Sequence, residues 1–152
     1  MAAIEDWGNA TWYIFHTLAF KLKDEYSDIV PDLCSHIINI CHNLPCPDCR
    51  QHATLNLSHN RRKQVRTKED LICFLLEFHN IVNQRLRKPY FSREEHDKLY
   101  SRARTHLIVS NFSILMSKNA NNSKAMLDTF SRKRAVSGFL KYLNSVHYKF
   151  NY

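Results

Sequence analysis

This chain has too few turn-forming residues to be a β protein. Two glycines and four prolines are spread over 152 residues, whereas sandwiches and barrels need a tight turn every few residues. No segment alternates convincingly with period two, and there is no internal repeat. Apolar residues instead recur at three and four, the spacing that lines up one face of a helix. A first helix, capped by Asn9 or Thr11 and running to about Lys23, carries Trp12, Phe15, Leu18, Ala19 and Leu22. A second follows Pro31, carries Cys34, Ile37, Ile38, Cys41 and Leu44, and ends at Pro45. A third runs from Cys46 to about Leu57, followed by a polar, basic loop over Ser58 to Arg66. Thr67-Lys68-Glu69-Asp70 resembles a capping box and opens a fourth helix with Leu71, Phe74, Leu75, Phe78, Val82 and Leu86, which Lys88-Pro89 stops. Ser92-Arg93-Glu94-Glu95 opens a fifth helix toward Arg104, with continuation to Met116 as the alternative. After a polar break at Asn119 to Ser123, Ala125 to about Val146 reads as a last helix. The fold class is all-α, and the length allows one domain with an appendage.

The chemistry centres on Cys46-Pro47-Asp48-Cys49. Two cysteines three positions apart can close as a small reducible disulfide or reach one metal ion together. Pro47 suits the first turn of a helix, where its missing N–H costs nothing. The pair then sits at a helix N-terminus, whose partial positive charge stabilises a thiolate. Asp48 opposes this and Arg50 assists it. Zinc would need two further ligands from His42, His52 or Cys41, and the spacing fits no common Cys/His module. Cys34, Cys41 and Cys73 read as small buried hydrophobes, with Cys34 or Cys41 a minor option as intersubunit thiols. Cys34 and Cys41 are roughly 10 Å apart along a helix by the rise per residue, too far to bridge.

The N-terminus has no basic flank or apolar core of a secretory signal, and no apolar run approaches a membrane span. The expected setting is cytosolic, where a CxxC is more often catalytic than structural. The net charge of +8 is unevenly placed: residues 105–152 hold 7 of the 22 Lys and Arg but only Asp128 of the 14 Asp and Glu. Tyr142, Tyr148, Phe150 and Tyr152 are interleaved there with Lys141 and Lys149, so a nucleic-acid-binding helical module is the competing reading, resting on this tail alone. Arg61-Arg62-Lys63 and Arg132-Lys133-Arg134 read as solvated faces.

A second cluster lies on the fourth helix. His79 and Asn83 are one turn apart, with Asn80 and Val82 beside them and Lys88 just past the helix end. An imidazole and an amide on an apolar face need partners, which a flat, polar-edged ligand would supply, with Lys88 meeting a phosphate. Trp12-x-x-x-His16, Cys46-x-x-Cys49, His79-Asn80-x-Val82-Asn83 and Lys88-Pro89-x-Phe91, in this order, resemble the FAD-linked sulfhydryl oxidase (Erv/ALR) family, in particular the short forms encoded by large DNA viruses. The resemblance spans about residues 6–93.

It implies a bundle of four helices holding FAD with a short fifth helix across them, within residues 1–104, and residues 105–152 as a basic helical extension. It implies that Gly8, Trp12 and His16 line the FAD, that His79, Asn80, Val82 and Asn83 contact its adenine and ribose side, and that Lys88 meets the phosphates. Cys49 would be the flavin-proximal sulfur and Cys46 the more exposed one, attacked by a substrate thiol; dioxygen would finally be reduced to hydrogen peroxide. No metal is implied. The implied partners are a thiol-containing protein, such as a thioredoxin-like carrier, and a second copy in a homodimer paired through the first helices, with no membrane. If the chain is viral, a late product in host cytoplasm or virion is expected. Two departures stand out. Residues 50–66 contain no cysteine to bridge Cys73, and no cysteine follows Cys73 to form a shuttle pair.

Overall fold

In a computed structural model the protein is all-helical, and the residues described are 4–57, 59–117 and 126–152. The α-helices are α1 (Ile4–Lys21), α2 (Val30–Cys41), α3 (Pro47–Asn56), a single turn α4 (His59–Arg62), α5 (Lys68–Arg85), α6 (Arg93–Ser101), α7 (Thr105–Met116) and α8 (Met126–Val146). Short 3-10 turns, Asp24–Ile29 and His147–Lys149, precede α2 and follow α8. Among the described residues the only β pairing is an isolated bridge between Leu22 and Phe150.

Local chemistry explains the boundaries. Thr67 Oγ1 accepts the Asp70 amide at 3.0 Å, while Asp70 Oδ2 accepts the Thr67 amide at 3.0 Å. Ser92 and Glu95 repeat this reciprocal cap at α6. Pro31 and Pro47 occupy first turns, where no amide donor is missed. The first helix begins earlier than either proposed cap, at Ile4. The basic loop contains α4, and the stretch from Arg93 to Met116 is two helices, so the end near Arg104 holds and the continuation does not. Its break is made without Pro or Gly: the Arg102 and Ala103 amides turn back onto Leu99 and Tyr100, Lys21 Nζ donates to the Ser101 carbonyl at 3.2 Å, and Arg104 is extended. This turn sends α7 back along α1. The polar break at Asn119 to Ser123 and the start of the last helix at Ala125 lie outside the described residues.

α1 is the central helix. It packs against α5, α6 and, most extensively, α7, while α2 packs against α3, α5 and α8. From Ala10 to Ala19 every residue of α1 is buried except Trp12 and Tyr13. Phe112 and Met116 of α7 and Val136, Phe139 and Leu143 of α8 belong to one core with Phe15, Leu18, Leu33 and Ile37. Burying such side chains stabilises the fold by roughly 1.5–3 kcal/mol each. The chain end is fastened as well, with the Asn151 amide on the Lys21 carbonyl at 2.7 Å and the Lys23 amide on the Lys149 carbonyl at 2.9 Å. Two readings of the basic tail change. Arg132 is buried, 5% exposed, because α8 turns it onto the Met116 carbonyl and Thr129. Phe150, 6% exposed, is core.

Candidate redox and cofactor site

Cys46 and Cys49 are joined as a disulfide, with Cα atoms 5.1 Å apart. Cys46 is the N-cap of α3, and its sulfur accepts the Cys49 amide at 3.2 Å. A sulfur in that position is met by an orphan helix donor and by the positive end of the helix, both of which favour a thiolate once the bond is opened. Both cysteines are half-buried, so exposure does not rank them. Arg50 Nη1 donates to the Leu44 carbonyl at 2.7 Å and holds the loop entering the motif.

The disulfide opens onto a cavity of about 400 Å³ whose walls include Trp7, Gly8, Trp12, Phe78, Val82 and Lys88. A neighbouring cavity of about 310 Å³ shares Asn9, Trp12 and Lys88 with it and adds His79, Asn83, Pro89 and Phe91. Trp12 is the wall between them. Its ring lies parallel to His79, with centroids 4.0 Å apart and planes 7° apart, and Phe78 meets it edge-on at 5.2 Å. A Cβ at Gly8 would meet no atom within 4 Å, so nothing in the chain demands glycine there; its absence of a side chain keeps the cavity wall open.

The sequence candidates divide into three groups. Gly8, Trp12, Val82 and Lys88 line the cavity that holds the cysteines, and His79 and Asn83 line the adjoining one. His16 lines neither: it is fully buried behind His79, its Nε2 2.9 Å from His79 Nδ1. Asn80 is committed elsewhere. Its amide nitrogen donates to the Phe91 carbonyl at 2.8 Å, its oxygen accepts the Phe91 amide at 2.7 Å, and it faces a third, outer depression with Asn83, Lys88 and Tyr90. Asn80 thereby pins the turn that follows α5. That turn is a Schellman motif: the Lys88 amide reaches the Asn83 carbonyl at 2.8 Å, the Arg87 amide reaches Gln84 at 3.2 Å, and Arg87 takes φ 56° where glycine is usual. It folds Lys88 back toward the cavities.

Trp7 and Phe78 line the cavity and His96 backs His16, and no sequence motif marks any of them for the site. Its spacing on α5 places Phe78 only as core. His96, between Glu95 and Asp97, is not singled out by the sequence, yet α6 buries it completely, with its ring 4.9 Å from that of His16. Cys73 is corrected in the opposite sense. It is exposed, because it shares the outer face of α5 with Glu69 and Glu77. Cys34 and Cys41 are buried, and burial pushes the Cys34 thiol up to about 11 and Cys41 higher still. Both stay protonated and closed to a second subunit. Among the described residues no group of three or more His, Cys, Asp or Glu is arranged to hold a metal ion, and no helix is long and apolar enough to cross a membrane.

Desolvation, then the charge of neighbouring His79 and His96, holds His16 well below the usual imidazole range; desolvation and Lys88 hold His79 at about 4. His96 is lowered chiefly by burial, although Asp97 opposes this. The three rings are neutral at pH 7. On unfolding each would regain an ordinary value near 6.5, so below that pH the unfolded chain binds protons first. Stability is therefore present at pH 7 and is lost as pH falls from about 6.5 toward 4. Taking His79 alone, about 2 kcal/mol should disappear between pH 7 and pH 5. A melting temperature unchanged over that interval would contradict the neutral cluster.

Fold and site together define a helical redox protein in which a CxxC disulfide faces an aromatic-walled cavity with a cation at its rim. The sequence profile of the Erv1 / Alr family matches residues 9–101, and the chain belongs to that family. It is 31% identical over 103 residues to the FAD-linked sulfhydryl oxidase of African swine fever virus, an alignment covering 64% of this chain and 82% of the relative. It is 34% identical over 85 residues to a putative FAD-linked sulfhydryl oxidase of invertebrate iridescent virus 3, covering 55% of this chain and 57% of the relative. It is 30% identical over 89 residues to the mitochondrial FAD-linked sulfhydryl oxidase of Saccharomyces cerevisiae, covering 58% and 47%. No solved structure matches it significantly.

Proposed function

We propose that the protein is an FAD-dependent thiol oxidase that forms disulfide bonds in protein substrates. The observation that carries this reading is the opening of the Cys46–Cys49 disulfide onto the Trp12-walled cavity. The donor set fits FAD. An indole face and apolar walls suit a flat ring system, the paired cavities are of the size that takes a cofactor, Lys88 suits a diphosphate, and His79 and Asn83 supply polar edges. His16 supports His79 from behind, and Asn80 acts by fixing the turn that carries Lys88. The oxidase unit is residues 1–104, with 105–152 an extension packed over it.

The chain's own chemistry is thiol exchange. A substrate thiolate attacks Cys46 Sγ, the Cys46–Cys49 bond breaks, and Cys49 leaves as a thiolate. A second substrate thiolate then attacks the substrate sulfur of the mixed disulfide and releases Cys46. The substrate leaves oxidised, and Cys46 and Cys49 hold the two electrons as a dithiol. Bound FAD supplies the route for that electron pair to dioxygen, giving hydrogen peroxide. The helix N-terminus at Cys46 stabilises the thiolate formed at each exchange. The FAD-loaded protein should consume one dioxygen and release one hydrogen peroxide for each dithiol oxidised. Dithiol loss without oxygen uptake would overturn the choice of acceptor.

The macromolecular partner is a thiol protein, for which a small thioredoxin-like carrier is one form. The implied dimer through the first helices has a physical obstacle: α7 already covers α1, and α8 covers α2. With α7 along α1, the exposed α1 side chains among those described are confined to Asp6, Asn9 and Tyr13, which favours a monomer. The nucleic-acid reading keeps exposed Lys141, Tyr148 and Tyr152 but loses Phe150, which is buried, while Lys149 lies over the Tyr26 and Tyr148 rings.

A further inference from the structure

The redox disulfide has a neighbour that thiol exchange itself does not use. The first turns of α8 are tied to that end of the bundle at two points. Asp128 Oδ2 accepts from Arg50 Nη2 at 3.2 Å, and the Ser131 hydroxyl donates to Asn43 Oδ1 at 2.7 Å. Arg50 directly follows Cys49, and Asn43 lies three residues before Cys46. At 100° per residue the sides of α8 can be assigned. Thr129, Arg132, Val136 and Phe139 face the core, and Asp128 and Ser131 face the CxxC region. Next around the helix from Ser131 comes Leu127, then Phe130, then Met126. These three are 79%, 69% and 64% exposed. Single exposed apolar side chains are ordinary; three adjoining ones, on the side of a helix anchored beside a reactive disulfide, form a patch with a use.

We propose that Leu127, Phe130 and Met126 are the docking surface for the polypeptide substrate, an incompletely folded, reduced chain with apolar residues flanking its cysteines. The proposal rests on the thiol-oxidase reading and names its substrate class. Cysteine is among the residues most often buried, so a thiol still awaiting oxidation lies in a segment whose future core residues are exposed. Its thiolate must reach Cys46, which brings that segment across the loop at Asn43 and onto the outer side of α8. Arg134, exposed and one turn from Phe130, adds a positive rim that favours an incoming thiolate. A small dithiol has nothing to place on the patch, so the surface acts on polypeptides alone.

The test uses the full-length, FAD-loaded protein and the double variant Leu127→Ser/Phe130→Ser, which leaves the core, the cysteines and both anchors untouched. Dithiothreitol and reduced ribonuclease A serve as substrates, and reduced, alkylated ribonuclease A is the binding probe, followed by fluorescence anisotropy. For the variant, kcat/KM with dithiothreitol should stay within about twofold. With reduced ribonuclease A it should fall about tenfold, mainly through KM, and binding of the alkylated chain should weaken by the same factor. Equal losses on both substrates would mean a disturbed disulfide and overturn the proposal. Unchanged ribonuclease turnover and binding would overturn it too. If wild-type protein oxidised neither substrate, the oxidase reading would fall, whereas the anisotropy arm would still decide the docking surface.

Discussion

Cys46→Ser is expected to leave the protein folded and able to hold FAD while lowering kcat/KM for a dithiol by at least about 10³-fold. The two halves of this result have separate causes. Serine is a preferred N-cap residue, and its hydroxyl can accept the Cys49 amide now held by the Cys46 sulfur at 3.2 Å. Helix α3 therefore keeps its first turn, Cys49 keeps its place in the cavity wall, and the Trp12 surface is untouched. What is lost is the electrophilic sulfur. No disulfide can form, an incoming thiolate has no bond to break, and no pair of electrons enters the protein. Oxygen uptake with excess dithiol measures the loss directly, with cofactor content as the control. Turnover near that of wild type would remove Cys46 from the mechanism.

Phe139→Ala is expected to lower stability by about 3–5 kcal/mol, the usual loss when a large aromatic side chain leaves a core. Phe139 lies on α8, is fully buried, and meets Phe112 of α7 edge-on at 6.1 Å. Both rings belong to the same core as Leu18, Leu33 and Ile37, so the cavity opens where the extension meets α1 and α2. In a chain of this size the melting temperature should drop by roughly 6–20 °C; a shift of one or two degrees would mean that the extension is only loosely applied. By the same packing, deleting residues 105–152 is no neutral truncation, since it strips α7 from α1. The wild-type chain should scatter light as an 18.0 kDa monomer. Twice that mass would show that a second copy finds a face other than the one α7 and α8 cover.

What could be read from the sequence was whatever local chemistry decides. The scarcity of glycine and proline, the threefold and fourfold spacing, and the two capping boxes led to an all-α chain with α5 and α6 starting at the correct residues. Pro47 and the CxxC spacing led to a disulfide at a helix N-terminus. Long-range packing decided the rest. The α6–α7 break has no breaker residue, and it exists because α7 must return along α1. Arg132 in a basic run looks solvated until α8 turns it inward, and nothing local marks His96 as buried. Cys73 looks like its buried fellows until the outer face of α5 is fixed by Glu69 and Glu77. Net charge marks residues 105–152 as a basic helical extension without saying how it packs, whereas Phe112, Phe139, Leu143 and Phe150 join α7, α8 and the chain end to the core. The roles of Asn80 and His16 could not be told from spacing either. Both stand beside cavity-lining positions in the motif, yet one secures a turn and the other backs a ring.

Electrons from thiols should pass through Cys46 and Cys49 to FAD, and the visible absorption of the purified, FAD-loaded protein shows it while a small dithiol is added without oxygen. The flavin band should bleach as dithiol is consumed, return when air is admitted, and fail to bleach in Cys46→Ser. A colourless protein that cannot be loaded with FAD, or a flavin band that dithiol leaves unchanged, would contradict it.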